Sequence, residues 1–109
     1  MNKKARQNLR AVARHLVKSE LIAARKPPTS NFFVKHARPY TTAYCVIHIQ
    51  ECPIVGWGQA FCRPGEVYSG KEGGQRAVGY CKSMMVDKVY ALLRSGRILK
   101  EEEDDATAF

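Results

Sequence analysis

Seven residues, Gly65-Glu66-Val67-Tyr68-Ser69-Gly70-Lys71, match the spacing G-x-x-x-x-G-K of a loop whose backbone amides cradle phosphates while its lysine reaches the terminal ones. That chemistry also requires Ser or Thr next, to hold magnesium, and Glu72 stands there instead. A nucleotide hydrolase of this kind further needs a large parallel sheet, which 109 residues hardly permit. A plainer reading accounts for every residue. Pro64-Gly65 fits the middle of a type II turn, and Ser69 followed by Glu72 is a capping box that opens a helix. What survives is a smaller expectation: Ser69, Gly70, Lys71, Gly73 and Gly74, at a helix N-terminus, binding an anion through free amides and the helix dipole.

Cys45-x-x-His48-x-x-x-Cys52, with Cys62, has the residue types that hold zinc. Alternation along a strand, however, sends Cys45 and His48 to opposite faces, and there is no C-x-x-C pair. No metal and no other cofactor is expected. For nucleophilic catalysis a Cys or Ser would need His and a carboxylate beside it. His15 and His36 lie in the basic N-terminal third and His48 lies mid-strand, with no spacing that ties any of them to one cysteine. The carboxylates crowd into residues 101 to 105, five consecutive acids. The chain is therefore read as a non-enzymatic protein.

Charge carries more information. The net charge is +8, and residues 1 to 39 hold ten Lys or Arg against one acid, Glu20. Such an excess at one end favours a polyanionic partner. No apolar run approaches the roughly 20 residues that cross a bilayer, and no apolar stretch follows the basic N-terminus as in a signal peptide. A cytosolic location without membrane association is expected, with the four cysteines as reduced core thiols.

The elements that would position these residues follow from patterning. About Lys3 to Lys26, with neither Gly nor Pro, reads as a basic helix within residues 1–26 that stops at Pro27-Pro28. At 100° per residue Ala5, Leu9, Val12, Leu16 and Ala23 share one face. Lys3, Arg6, Arg10, Arg14, Lys18 and Arg25 fall opposite, interrupted by Val17 and Leu21. Residues 27–39 read as a linker, pinned by Phe32, Phe33 and Val34. Tyr40 to Gln50 reads as a strand, with Cys45, Ile47 and Ile49 on one face and Tyr44, Val46 and His48 on the other. A turn at Glu51, Cys52 and Pro53 leads into a second strand, Ile54 to Arg63. Gly56 and Gly58 around Trp57 mark either a bulge or the close approach of another backbone. Glu66 to Tyr68 would add a brief third strand. A helix over 69–96 carries the apolar stripe Val78, Cys81, Met85, Val89 and Leu92, with Gly96 as its C′ residue. Residues 101–109 should form a disordered acidic tail. The fold class is α+β: a single small domain of residues 1–100, with an antiparallel sheet of two or three strands covered on one face by helices.

From Gly58 to Lys82 the chain resembles a pattern found in short bacteriophage and prophage proteins, carried here by Gly58, Ala60, Cys62, Pro64, Glu66, Tyr68, Gly73, Ala77 and Lys82. Glu66 replaces the usual aspartate and Lys82 the usual arginine. The resemblance covers about a quarter of the chain and implies a viral accessory protein of a kind that binds nucleic acid, inhibits a host protein or sequesters a small ligand. It transfers no functional residue. The helix–strands–helix order also resembles a double-stranded-RNA-binding domain, without a convincing match to its loop and lysine motif.

The leading expectation is low-specificity binding of DNA or RNA. Lys3, Arg6, Arg10, Arg14, Lys18 and Arg25 would contact phosphates, with Lys71 and Arg76 as secondary contacts. Tyr44 and Trp57 would stack on bases if they lie on the free sheet face. The alternatives are an inhibitor whose basic helix docks on an acidic host protein, and a homo-oligomer that sequesters a small anion or nucleotide.

Overall fold

The computed structural model describes residues 2–24 and 31–100. Among them run α1 (Lys3–Ala24), β1 (Phe33–Ala37), β2 (Tyr40–Ile49), β3 (Cys52–Phe61) and α2 (Gly70–Arg94). The strands form an antiparallel sheet in the order β1-β2-β3. Both helices cover one face of it, and the domain is α+β. The expected disorder of 101–109 and the ends of the residue 1–26 helix, Arg25 among them, lie outside the described residues.

Strict alternation builds the core. Thr41, Ala43, Cys45, Ile47 and Ile49 of β2 and Ile54, Gly56, Gly58 and Ala60 of β3 point at the helices and are buried. Ala77, Cys81, Met85, Val89 and Leu93 of α2 meet them, with Ala13, Leu16 and Val17 of α1. Each fully buried aliphatic side chain of this set contributes about 1.5–3 kcal/mol. The register β2–β3 runs without interruption from Tyr40↔Phe61 to Ile49↔Cys52, so there is no bulge at the glycines. They serve close approach instead. A Cβ on Gly58 would lie 2.5 Å from Cys81 N and 2.7 Å from Tyr80 Cβ, and one on Gly56 would lie 2.9 Å from Cys81 O. Helix α2 thus rests directly on the backbone of β3.

Local chemistry fixes the element ends. Asn2 caps α1 by accepting from Ala5 N–H at 2.8 Å, and Asn31 donates to Leu21 O at 2.7 Å near its other end. Ser69 caps α2, accepting from Glu72 N–H at 3.3 Å. Gly96, with φ 77°, closes it: Gly96 N–H donates to Leu93 O and Arg97 N–H to Leu92 O, the paired bonds of a Schellman stop. Glu66 N–H donates to Arg63 O at 3.0 Å across Pro64-Gly65, where Gly65 has φ 89°, as the type II turn requires.

Four expectations need correction. The segment 27–39 is not a linker throughout, because Phe33–Ala37 pairs with Tyr40–Tyr44 as β1 through a two-residue connection at Arg38-Pro39. As a mostly exposed edge strand it shows no alternation of apolar residues to announce it. Glu66 to Tyr68 is not a strand; it is the path from the turn to the cap of α2. The β2–β3 turn is Gln50-Glu51, both with positive φ (49° and 67°), and Cys52 and Pro53 already belong to β3. Positive φ at both central residues gives a hairpin turn whose twist matches the strands. Finally, the buried arc of α1 is rotated from the expected one. It centres on Ala13, Leu16 and Val17, leaves Ala23 exposed, and brings Leu21 to half-burial. Val17 and Leu21 therefore belong to the docked side and do not break up the cationic one.

The free edge of β3 is partly occupied from Pro53 to Trp57. Pro53 has no N–H, Lys88 Nζ donates to Val55 O at 2.6 Å, and Trp57 N–H donates to Met84 Sδ at 3.4 Å. At the hairpin tip Gln50 holds the segment after α2 by both arms, donating to Leu99 O at 2.6 Å and accepting from Leu99 N–H at 2.8 Å.

Candidate functional site

Helix α1 separates its basic residues into two groups. Arg10 turns toward α2, where Nη1 sits 2.7 Å from Asp87 Oδ1 and the guanidinium lies 4.6 Å from the centroid of the Tyr90 ring. It is a strut between the helices, a role its place on the wheel beside Val17 explains. Lys4, Arg14 and Lys18 are exposed on the side away from the core, while Lys3 and Arg6, also exposed, lie on the Arg10 side at the start of the helix. Arg10–Asp87 is the one ion pair among the described residues, so none of the described carboxylates pairs with this outer row. From Lys4 to Lys18 it extends about 21 Å along the axis.

Lys71 and Arg76 are exposed in the first turns of α2. The Arg10–Asp87 contact ties the first half of α1 to the second half of α2, and Lys71 precedes Asp87 by about 24 Å of helix. These two cations lie away from Lys3 and Arg6 and stand about 140° apart around the helix, on different flanks of it.

Tyr44 and Trp57 are cross-strand partners on the bare face of the sheet, 46% and 49% exposed. Phe33 continues their row through its pairing with Tyr44, at a centroid separation of 6.4 Å. Tyr40 and Phe61 form a second pair at 5.2 Å, and Val46 faces Val55. Lys35, Thr42 and Gln59 lie between the aromatic rows. The sequence condition for stacking, exposure on the free face, is met. Yet the helices cover the other face, so the aromatic rows and the outer row of α1 lie on opposite sides of the core.

The glycines at the start of α2 have a packing explanation. A Cβ on Gly73 would lie 2.7 Å from Thr41 Oγ1, and one on Gly70 would lie 3.4 Å from His36 Cε1. The β1–β2 hairpin is seated on this end of the helix by a polar knot that the sequence did not reveal. His36 Nδ1 is 3.2 Å from Thr41 Oγ1 and 3.0 Å from Tyr68 Oη, and those two oxygens are 3.1 Å apart. Arg38 lies over the Tyr68 ring at 4.8 Å. Beside the knot runs a shallow cleft lined by Pro39, Cys62, Glu66, Ser69 and Arg76, among others. Of the expected anion-binding group, Ser69 Oγ is occupied by the Glu72 amide, Gly73 packs on Thr41, Gly74 sits beside Val34, and Lys71 is exposed.

The cysteines are free thiols. Burial pushes Cys81 up to about 11, with Cys45 adding to the rise and Lys88 opposing it, and burial also raises Cys45. Cys45 is buried while His48 is exposed on the other sheet face, so the zinc-like spacing does not converge. No group of three His, Cys, Asp or Glu stands in position to hold a metal among the described residues. No helix among them is long and apolar enough to cross a membrane.

No protein-family model matches the chain, and no curated relative matches it. Among solved structures it is similar to the crystal structure of Rv2632c, at 19% identity over 67% of this chain and 89% of that one, with a TM-score of 0.55. At that identity the likeness speaks for the fold.

Proposed function

We propose that this protein binds nucleic acid without catalysis, gripping phosphates with the outer row of α1. The observation that carries the reading is that Lys4, Arg14 and Lys18, with Lys3 and Arg6, stay exposed on one helix with no partner among the described carboxylates, while Arg10 is drawn into the fold. A row about 21 Å long fits the regular phosphate spacing of a duplex. The element order, helix, three antiparallel strands, helix, is also that of the double-stranded-RNA-binding domain noted above. Lys71 and Arg76 supply secondary contacts at the start of α2. Because such contacts position without reading bases, sequence specificity should be low.

The test is fluorescence anisotropy with single- and double-stranded DNA and RNA over about 50 to 300 mM salt. Binding should weaken steeply with salt, and Arg14→Ala/Lys18→Ala should flatten the log–log slope by nearly two. Affinity weaker than about 10 μM for all four at low salt would reject the reading.

A further inference from the structure

We propose that the bare face of the sheet is the docking surface for a second copy of this chain, the two sheets packing face to face. Five aromatic side chains and two valines on that face are between 41% and 67% exposed. A fully buried aromatic covers about 150–250 Å², so this set offers about 600 Å² per copy, and two copies about 1,200 Å², the lower bound of specific interfaces. An apolar patch of that size on a monomer is at the limit of what solvent tolerates.

The distribution of charge favours one occupant. Of the side chains that alternation sends to this face, Lys35 alone carries a formal charge, and it lies on the edge strand, in a chain of net charge +8. Two copies that repel each other elsewhere meet here at least coulombic cost. A single-stranded nucleic acid would need cations tracking its backbone beside the aromatics, and one lysine does not provide them. Edge-to-edge pairing through β3 is hindered from Pro53 to Trp57 by Pro53, Lys88 and Met84, and would leave the rings uncovered. Face-to-face packing, with sheets about 10 Å apart, is the remaining way to cover these rings with a like chain. The product is a four-layer stack, helices outermost, which leaves the α1 rows of both copies on its two outer surfaces.

Sedimentation equilibrium of the full chain over about 1 to 200 μM decides the matter, with the emission of Trp57, the one tryptophan, followed in parallel. The expected result is a species of twice 12.3 kDa, with Trp57 emission shifting to the blue as concentration rises. Tyr44→Lys and Val46→Lys, each adding a charge at the centre of the face, should raise the dissociation constant about 100-fold or more with the helical CD signal retained. Ser83→Lys, the same charge on the exposed side of α2, should leave it unchanged. A wild-type chain that stays monomeric throughout overturns the proposal, whether or not an oligonucleotide quenches Trp57. So does a dimer that survives both lysine substitutions in folded protein.

Discussion

Replacing Gly58 by alanine tests whether α2 truly rests on the backbone of β3. The added methyl carbon would come 2.5 Å from Cys81 N and 2.7 Å from Tyr80 Cβ, and would also meet Ala77 O, whereas ordinary contact begins near 3.4 Å. Two of those atoms are helix backbone, so no rotamer change relieves the overlap and α2 has to lift by about 1 Å. A gap of that size forfeits roughly a quarter to a half of each dispersion well it opens. It opens beneath Ala77, Cys81 and Met85, all fully buried. The expected cost is about 3 kcal/mol, the upper end for overpacking, or a fall in Tm of about 15 °C for a domain of this size. Gly79→Ala supplies the contrast. It lies within α2 with open space around its would-be Cβ, and the gain in helix propensity should stabilise by about 0.5–1 kcal/mol. Urea unfolding followed by far-UV CD, at one protein concentration for all variants, measures both. A Gly58→Ala variant within about 1 kcal/mol of wild type would refute the packing argument.

The two raised thiols give a pH dependence. The unfolded chain loses the Cys81 proton near 9.0 while the folded one holds it to about 11, so stability is intact below pH 9 and falls as pH rises toward 11. Cys81→Ala should flatten the decline between pH 8.5 and 10.5 in urea titrations, though lowering the starting value by the lost packing. In native protein an alkylating reagent should modify Cys52 and Cys62 while sparing Cys45 and Cys81 until urea is added, which peptide mass mapping would show. Arg10→Ala should cost about 0.5–1 kcal/mol through its half-exposed ion pair and the Tyr90 ring, yet change the salt slope of nucleic-acid binding far less than Arg14→Ala. Gln50→Ala should free the segment around Leu99 and cost about 1–2 kcal/mol, visible as faster amide exchange at Ile98 and Leu99.

Strong local signals made much of the fold legible. Thr41 to Ile49 alternates because one face is buried and the other is not, and Ser69, Pro64-Gly65 and Gly96 sit where their backbone chemistry is used. What escaped depended on contacts made far along the chain. Strand β1 covers little of the core, so Phe33 to Ala37 has no burial pattern, and only its pairing with β2 makes it a strand. The rotation of α1 was hidden because small Ala13 and Ala23 weigh alike on a helical wheel, and Arg10 reads as one more surface cation until Asp87 and Tyr90 are brought beside it. Likewise His36 faces Thr41 only because β1 pairs with β2, and Tyr68 joins them from a distant segment. The exposure of Tyr44 and Trp57 followed from alternation alone. Their separation from the cationic row required knowing that both helices share one face.

The flush seating of α2 on β3 also bears on how this chain can vary. Gly56, Gly58 and Ala60 on the strand and Ala77 and Cys81 on the helix are small on both sides of one contact, with Met85 lying over Gly56. A larger residue on either side is tolerable only if its opposite number shrinks or the helix slides along the strand, so substitutions here should travel in pairs. Relatives too divergent to share many identities should still keep a row of small residues at alternate strand positions and another one turn apart on the following helix, offset by about twenty residues. That two-part spacing is a genealogical marker written in side-chain volume.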